Sequence, residues 1–255
     1  MRVGVFDSGV GGLTVLKAIR EKFPRIDLFY LGDTARVPYG TKSPDTVIRY
    51  SVECAEFLSE KSVDVLVVAC NTASSYALET LTSMLTIPVL GVVEPGVRKA
   101  LSLTKGRVGV IGTSATIRSE AYQHRLREAG VEVFSKACPL FVPLVEEGLV
   151  EGDITERVVE FYLKEFREKG IDTLILGCTH YPLLKNTIKN FLKGTEVVDS
   201  SDAVAEELSS LVEDEGQGAI ELFFTDRSQN LEGLIELILG DRLKPEILSD
   251  WTHRV

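Results

Sequence analysis

The sequence predicts an α/β protein made of two similar parallel-sheet domains, related by pseudo-twofold symmetry, with a cleft between them. Three observations carry that expectation. Strand-like and helix-like runs alternate along the chain. The strand-like runs are continuous in Val, Ile and Leu, as expected of strands covered by helices on both faces. Two stretches also recur at nearly one spacing. "RVGVFDS" at 2–8 returns as "RVGVIGT" at 107–113, an offset of 105, and "VDVLVVACNTASSY" at 63–76 returns as "IDTLILGCTHYPLL" at 171–184, an offset of 108. Either match alone is weak, because buried strands resemble one another, but two at nearly the same offset read as an internal duplication.

Taken in order, "RVGVF" is a strand, and Leu13, Leu16, Ile19 and Phe23 then step by three or four residues along one face of a helix. "LFYLGD" is the next strand. "SPDTVIRYSVECAEFLSEKS" follows as a helix with Ser43 as its N-cap and Pro44 in its first turn. "DVLVVA" is a fully buried strand, and "TASSYALETLTSML" is expected to continue as one helix. Near residue 97 the pattern restarts. From about 208 a tail adds a strand, "AIELFFTD", and a helix, "SQNLEGLIELILG", that have no counterpart in the repeat. The first domain is therefore expected to comprise 1–97 together with 208–255, and the second 98–207.

At 255 residues, 44% of them hydrophobic, the chain is long enough to build such a core. Lys and Arg total 28 against 38 Asp and Glu, a net charge of -10, and no basic cluster interrupts the balance. A nucleic-acid partner is not expected, because phosphates demand a concentrated basic surface. No apolar run reaches the roughly 20 residues of a membrane span, and "MRVGVFDSG" does not read as a secretory signal, so no membrane partner and a cytoplasmic location are expected. Cys54, Cys70, Cys138 and Cys178 form no C-x-x-C pair and no zinc spacing. Free thiols and no metal are the expectation.

The repeat sets Cys70 opposite Cys178, each at the carboxyl end of a buried strand and each followed by polar residues. Ligands in open α/β sheets bind off that edge. A lone strand-end Cys is more often packing than chemistry. Packing, however, does not call for a thiol at matched positions of two diverged halves. Two acid/base groups facing each other across a cleft suit inversion at a stereocentre: one thiolate takes a proton from one face, and the other thiol returns one to the opposite face. Cys54 and Cys138 have no such partners and read as structural. Asp7 and Ser8 end the first strand, and the glycines of "SGVGG" are expected to let a ligand approach the backbone. Asn71 and Thr72 follow one thiol, Thr179 and His180 the other, a set that suits an amino acid's carboxylate and ammonium. Asp7 and His180 are placed to assist the nearer thiols, although Asp7-Ser8 also reads as a helix cap. "DSGVGG" does not complete a dinucleotide fingerprint, since Thr14 occupies its last position, and there is no P-loop. With Asp33 imitating a ribose-binding acid, a nucleotide- or metabolite-binding protein stays open as the non-enzymatic alternative.

Five ordered blocks, "FDSGVGGLTV" at 6–15, "GDTARVPYG" at 32–40, "ACNTAS" at 69–74, "GTSATIRS" at 112–119 and "GCTHYPLL" at 177–184, closely resemble the glutamate racemase family. The resemblance covers nearly the whole chain. It implies a cofactor-independent racemase that interconverts L- and D-glutamate by two-thiol proton transfer and supplies D-glutamate for peptidoglycan. It implies Cys70 and Cys178 as the proton-transferring thiols, assisted by Asp7 and His180. Asp7, Ser8, Tyr39, Gly40, Asn71, Thr72, Thr179 and His180 would hold glutamate, Thr113 and Thr116 would add contacts from the second domain, and Asp33 would help electrostatically. A supporting carboxylate is implied in "PLVEEG", where Glu147 is expected over its neighbour Glu146. Aspartate racemisation, or another two-cysteine isomerisation on a related scaffold, is the neighbouring alternative. Oligomeric state stays open, a homodimer being the common arrangement.

Overall fold

The computed structural model describes residues 1–228, 230–249 and 251. The chain runs β1 (Arg2–Asp7), α1 (Leu13–Lys22), β2 (Asp27–Gly32), α2 (Pro44–Glu60), β3 (Val65–Val68), α3 (Asn71–Tyr76), α4 (Leu78–Met84), β4 (Val89–Gly91) and α5 (Val93–Leu103). It continues with β5 (Arg107–Gly112), α6 (Ser114–Arg118), α7 (Ala121–Glu128), β6 (Glu132–Ala137), α8 (Phe141–Glu146), α9 (Asp153–Lys169), β7 (Thr173–Gly177), α10 (Lys185–Phe191), β8 (Glu196–Asp199) and α11 (Ser200–Leu208). The tail supplies β9 (Ile220–Phe224), α12 (Leu231–Leu239) and β10 (Glu246–Ile247).

These strands form two wholly parallel sheets, ordered β10-β9-β2-β1-β3-β4 and β6-β5-β7-β8. The order β2-β1-β3-β4 thus recurs as β6-β5-β7-β8, which is the duplication seen in the sequence. The tail strand β9 adds to the first sheet by pairing with β2, from Leu28 opposite Ile220 to Gly32 opposite Phe224. Connections between parallel neighbours need helices, and those helices cover both faces. Helix α1 shows what holds them there. It has no side-chain N-cap and no acidic residue in its first turn, yet Leu13, Val15, Leu16 and Ile19 are essentially inaccessible. Burial of such side chains, at about 1.5–3 kcal/mol each, outweighs the missing cap, worth about 1 kcal/mol.

Two helices cross between the sheets. Helix α5, after β4, packs Val93, Val97 and Ala100 with Val108, Val110 and Ile175 of the second sheet. Helix α11, after β8, packs Val204, Ala205 and Leu208 into the core around Leu13, Leu16 and Tyr30 under the first sheet. The halves are therefore laced together, and their strand carboxyl ends meet.

Ser43 caps α2 by accepting from Thr46 N at 3.4 Å, with Pro44 in the first turn, as expected. The single helix expected over 72–85 is instead two, α3 and α4, broken at Ala77. Ser75 turns its hydroxyl back onto Asn71 O at 2.8 Å, while Ser74 bonds Val68 O at 2.9 Å. The Ser75 bond, to the carbonyl four residues back within α3, competes with the helix ladder and bends it, whereas the Ser74 bond ties the helix to the end of β3. No helix among the described residues is long and apolar enough to cross a membrane.

Candidate active site

Each sheet delivers its strand ends to one cleft. From the first come Ser8, after β1, and Cys70, Asn71 and Thr72, after β3. From the second come Thr113, after β5, and Cys178, Thr179 and His180, after β7. All of these line a single cavity, together with Tyr39 and Gly40 from the loop after β2. Both thiols are free and nearly inaccessible, at 5% for Cys70 and 6% for Cys178. The space between the walls is small, about 30 Å³, room for a water or two. A much larger open groove, about 600 Å³, runs between α9 and α10, but it is lined by solvated side chains such as Asp153, Glu156 and Arg157 and has no thiol.

The two thiols sit in different surroundings. Cys70 is the N-cap of α3: its Sγ accepts from Ala73 N at 3.5 Å and donates to Ser8 Oγ at 3.4 Å. Burial, with the Asp7 carboxylate nearby, pushes its thiol up to about 12. Cys178 Sγ lies 3.9 Å from Nδ1 of His180. The other imidazole nitrogen, Nε2, is 3.4 Å from Glu146 Oε1, close enough for an ion pair although not aligned as a hydrogen bond. Burial alone would push His180 down. The Cys178 sulfur and the Glu146 and Asp7 carboxylates outweigh it and raise the imidazole to about 10. His180 is thus a cation set against Cys178.

The carboxylate that reaches His180 is Glu146, not the expected Glu147. Helix α8 ends at Glu146, whose side chain reaches His180, whereas Glu147 is the exposed residue just past that end. Asp7 stands one layer behind the wall and is completely buried. Its Oδ2 accepts from Gly9 N at 2.9 Å and its Oδ1 from Thr179 Oγ1 at 3.3 Å, so it ties the two walls together. Burial pushes Asp7 up against the opposing pull of His180 and these donors. Thr116 is also set back: it bonds Thr72 at 3.1 Å and Thr113 at 3.0 Å, holding those hydroxyls at the wall. Asp33 accepts from Tyr39 Oη, from Arg36 Nε at 2.7 Å and from Thr225 at 2.9 Å, so it fixes Tyr39 from behind. The glycines of "SGVGG" admit protein rather than a ligand. A Cβ on Gly11 would lie 2.4 Å from Thr179 Oγ1 and 2.5 Å from His180 Nδ1.

Residues 11–208 match the Asp/Glu/hydantoin racemase family. The chain belongs to that family, within its glutamate racemases. A glutamate racemase of Aquifex aeolicus is 64% identical over 251 residues, 98% of each chain. Among solved structures, the glutamate racemase of Aquifex pyrophilus superposes with a TM-score of 0.86 at 61% identity, covering 97% of this chain and 98% of its own. That of Francisella tularensis, in complex with D-glutamate, gives 0.89 at 37% identity, covering 97% of each. This racemase is thus an amino-acid isomerase, and its paired thiols lie where the two halves of its fold face each other.

Val37, Pro38 and Val142 also line the cleft, and Tyr122 stands behind Asn71. Sequence reading did not single them out. Tyr122 sits in "SEAYQHRLRE", which reads as an ordinary amphipathic helix, and only the meeting of the two halves brings it to Asn71.

Proposed function

We propose that this racemase inverts the α-carbon of glutamate by two-thiol proton transfer without a cofactor, in the cytoplasm, and supplies D-glutamate for peptidoglycan. One observation carries the reading: Cys70 and Cys178 stand on walls of one cleft contributed by different sheets. The base in this scheme is the Cys178 sulfur, 3.9 Å from Nδ1 of His180. It takes the α-proton of one enantiomer: the C–H bond breaks, S–H forms, and the electron pair stays on the α-carbon. Cys70, held protonated by its burial, then gives its proton to the opposite face. The reverse reaction exchanges the roles, with Asp7 and Ser8 on the side of Cys70. The carbanion is brief, and the hydroxyls of Thr72, Thr113 and Thr179 and the exclusion of water stabilise its carboxylate.

The test is polarimetry on L-glutamate, L-aspartate and L-glutamine, each with and without added pyridoxal phosphate. Loss of rotation with L-glutamate alone, unchanged by the additive, is the expected result. Faster turnover of L-aspartate, or dependence on the additive, would overturn the proposal.

A further inference from the structure

The side-chain amide of Asn71, next to Cys70 on the cleft wall, is half used. Its Nδ2 donates at 2.7 Å to Oη of Tyr122, reaching from α3 to α7. Its Oδ1 is buried and has no hydrogen-bond partner among the described residues. Leaving a buried acceptor unmade is costly, so the oxygen calls for a donor that the protein does not supply.

What turns the amide this way is a relay with one possible direction. Tyr122, wholly buried, has Ser200 Oγ 3.3 Å from its hydroxyl, and Ser200 Oγ lies 3.4 Å from the backbone carbonyl of Leu176. A carbonyl can only accept, so Ser200 donates to Leu176 and accepts from Tyr122. The phenol, its proton spent on Ser200, can only accept from Asn71. The NH2 of Asn71 is thereby drawn away and its oxygen left over. The other polar groups on the wall are hydroxyls, thiols and the imidazole. Hydroxyls and thiols can donate as well as accept, whereas the amide oxygen can only accept and is buried without a donor, which makes it the seat for an ammonium.

We propose that Tyr122 is a positioning residue: across the interface between the two halves, it sets the Asn71 amide so that Oδ1 accepts from the substrate's ammonium group. The inference rests on the glutamate reading, and its test separates the two. Glutarate keeps both carboxylates of glutamate and lacks the ammonium. In Tyr122→Phe, the KM for D-glutamate rises about tenfold, as for a lost hydrogen bond to a charged group, while the Ki of glutarate stays within about twofold of wild type. Ser200→Ala, which breaks the relay without touching Asn71, shifts the same ratio in the same direction. In an Asn71→Ala background, Tyr122→Phe adds nothing further. A wild type inert toward glutamate sinks the functional reading. A wild type that turns glutamate over, with variants that weaken glutamate and glutarate equally or weaken neither, sinks the role of Tyr122.

Discussion

His180 is enclosed by a thiol and two carboxylates, so taking one carboxylate away must move its titration. Its folded value, about 10, lies above the ordinary 6.5. The stability this contributes is fully present below about pH 6.5 and is lost as pH rises through about 10. Activity that needs the cation beside Cys178 has an alkaline limb set by the same group. Glu146→Gln therefore moves that limb of the kcat/KM profile to lower pH, whereas Glu147→Gln leaves it in place; equal profiles for both would remove Glu146 from the site. Cys70→Ala and Cys178→Ala each lower racemisation by at least about 10³-fold, measured by circular dichroism, because neither thiol can cover both faces. These cysteines were legible in the sequence because the repeat pairs them. Glu146 was not, because two adjacent glutamates differ only in helical phase, and that phase is set by the packing of Phe141, Leu144 and Val145. Tyr122 was hidden for a related reason: its partner Asn71 is 51 residues away in the other half.

Among elements, the loop after β1 and the tail strand β9 carry sharp consequences. The loop places Gly11 against Thr179 and His180, so Gly11→Ala pushes directly on the second wall. Displacement of reacting groups by a fraction of an ångström to an ångström lowers kcat by up to about 10²-fold, and a kcat for Gly11→Ala equal to wild type would show that the contact is slack. Ending the chain before β9 strips Phe223 and Phe224 from the core and leaves β2 as an unpaired edge. The shortened chain is expected to aggregate or to lose its cooperative thermal transition; a wild-type melting curve would contradict that. Strand and helix identities were readable because period and length suffice for continuous apolar strands. The break at Ala77 was not, since a serine bonding back onto the helix main chain leaves the hydrophobic pattern of 72–85 intact.

Across the whole molecule, the exchange of α5 and α11 binds the halves while the cleft between them stays nearly closed. About 30 Å³ does not admit glutamate, so the walls must part for substrate and close over it. Backbone amides at 39–42 and 178–181 are accordingly expected to exchange with solvent faster in the free enzyme than with glutamate bound, and unchanged exchange would argue against opening at this mouth. The central claim, that opposed thiols act on opposite faces, is tested most directly in deuterated water by following hydrogen at the α-carbon of substrate and product during the first turnovers. Product that has gained solvent deuterium, while the unreacted enantiomer still carries its original hydrogen, is the expected result. Product retaining the substrate's own hydrogen, or unreacted substrate exchanging as fast as it racemises, would contradict the two-thiol scheme.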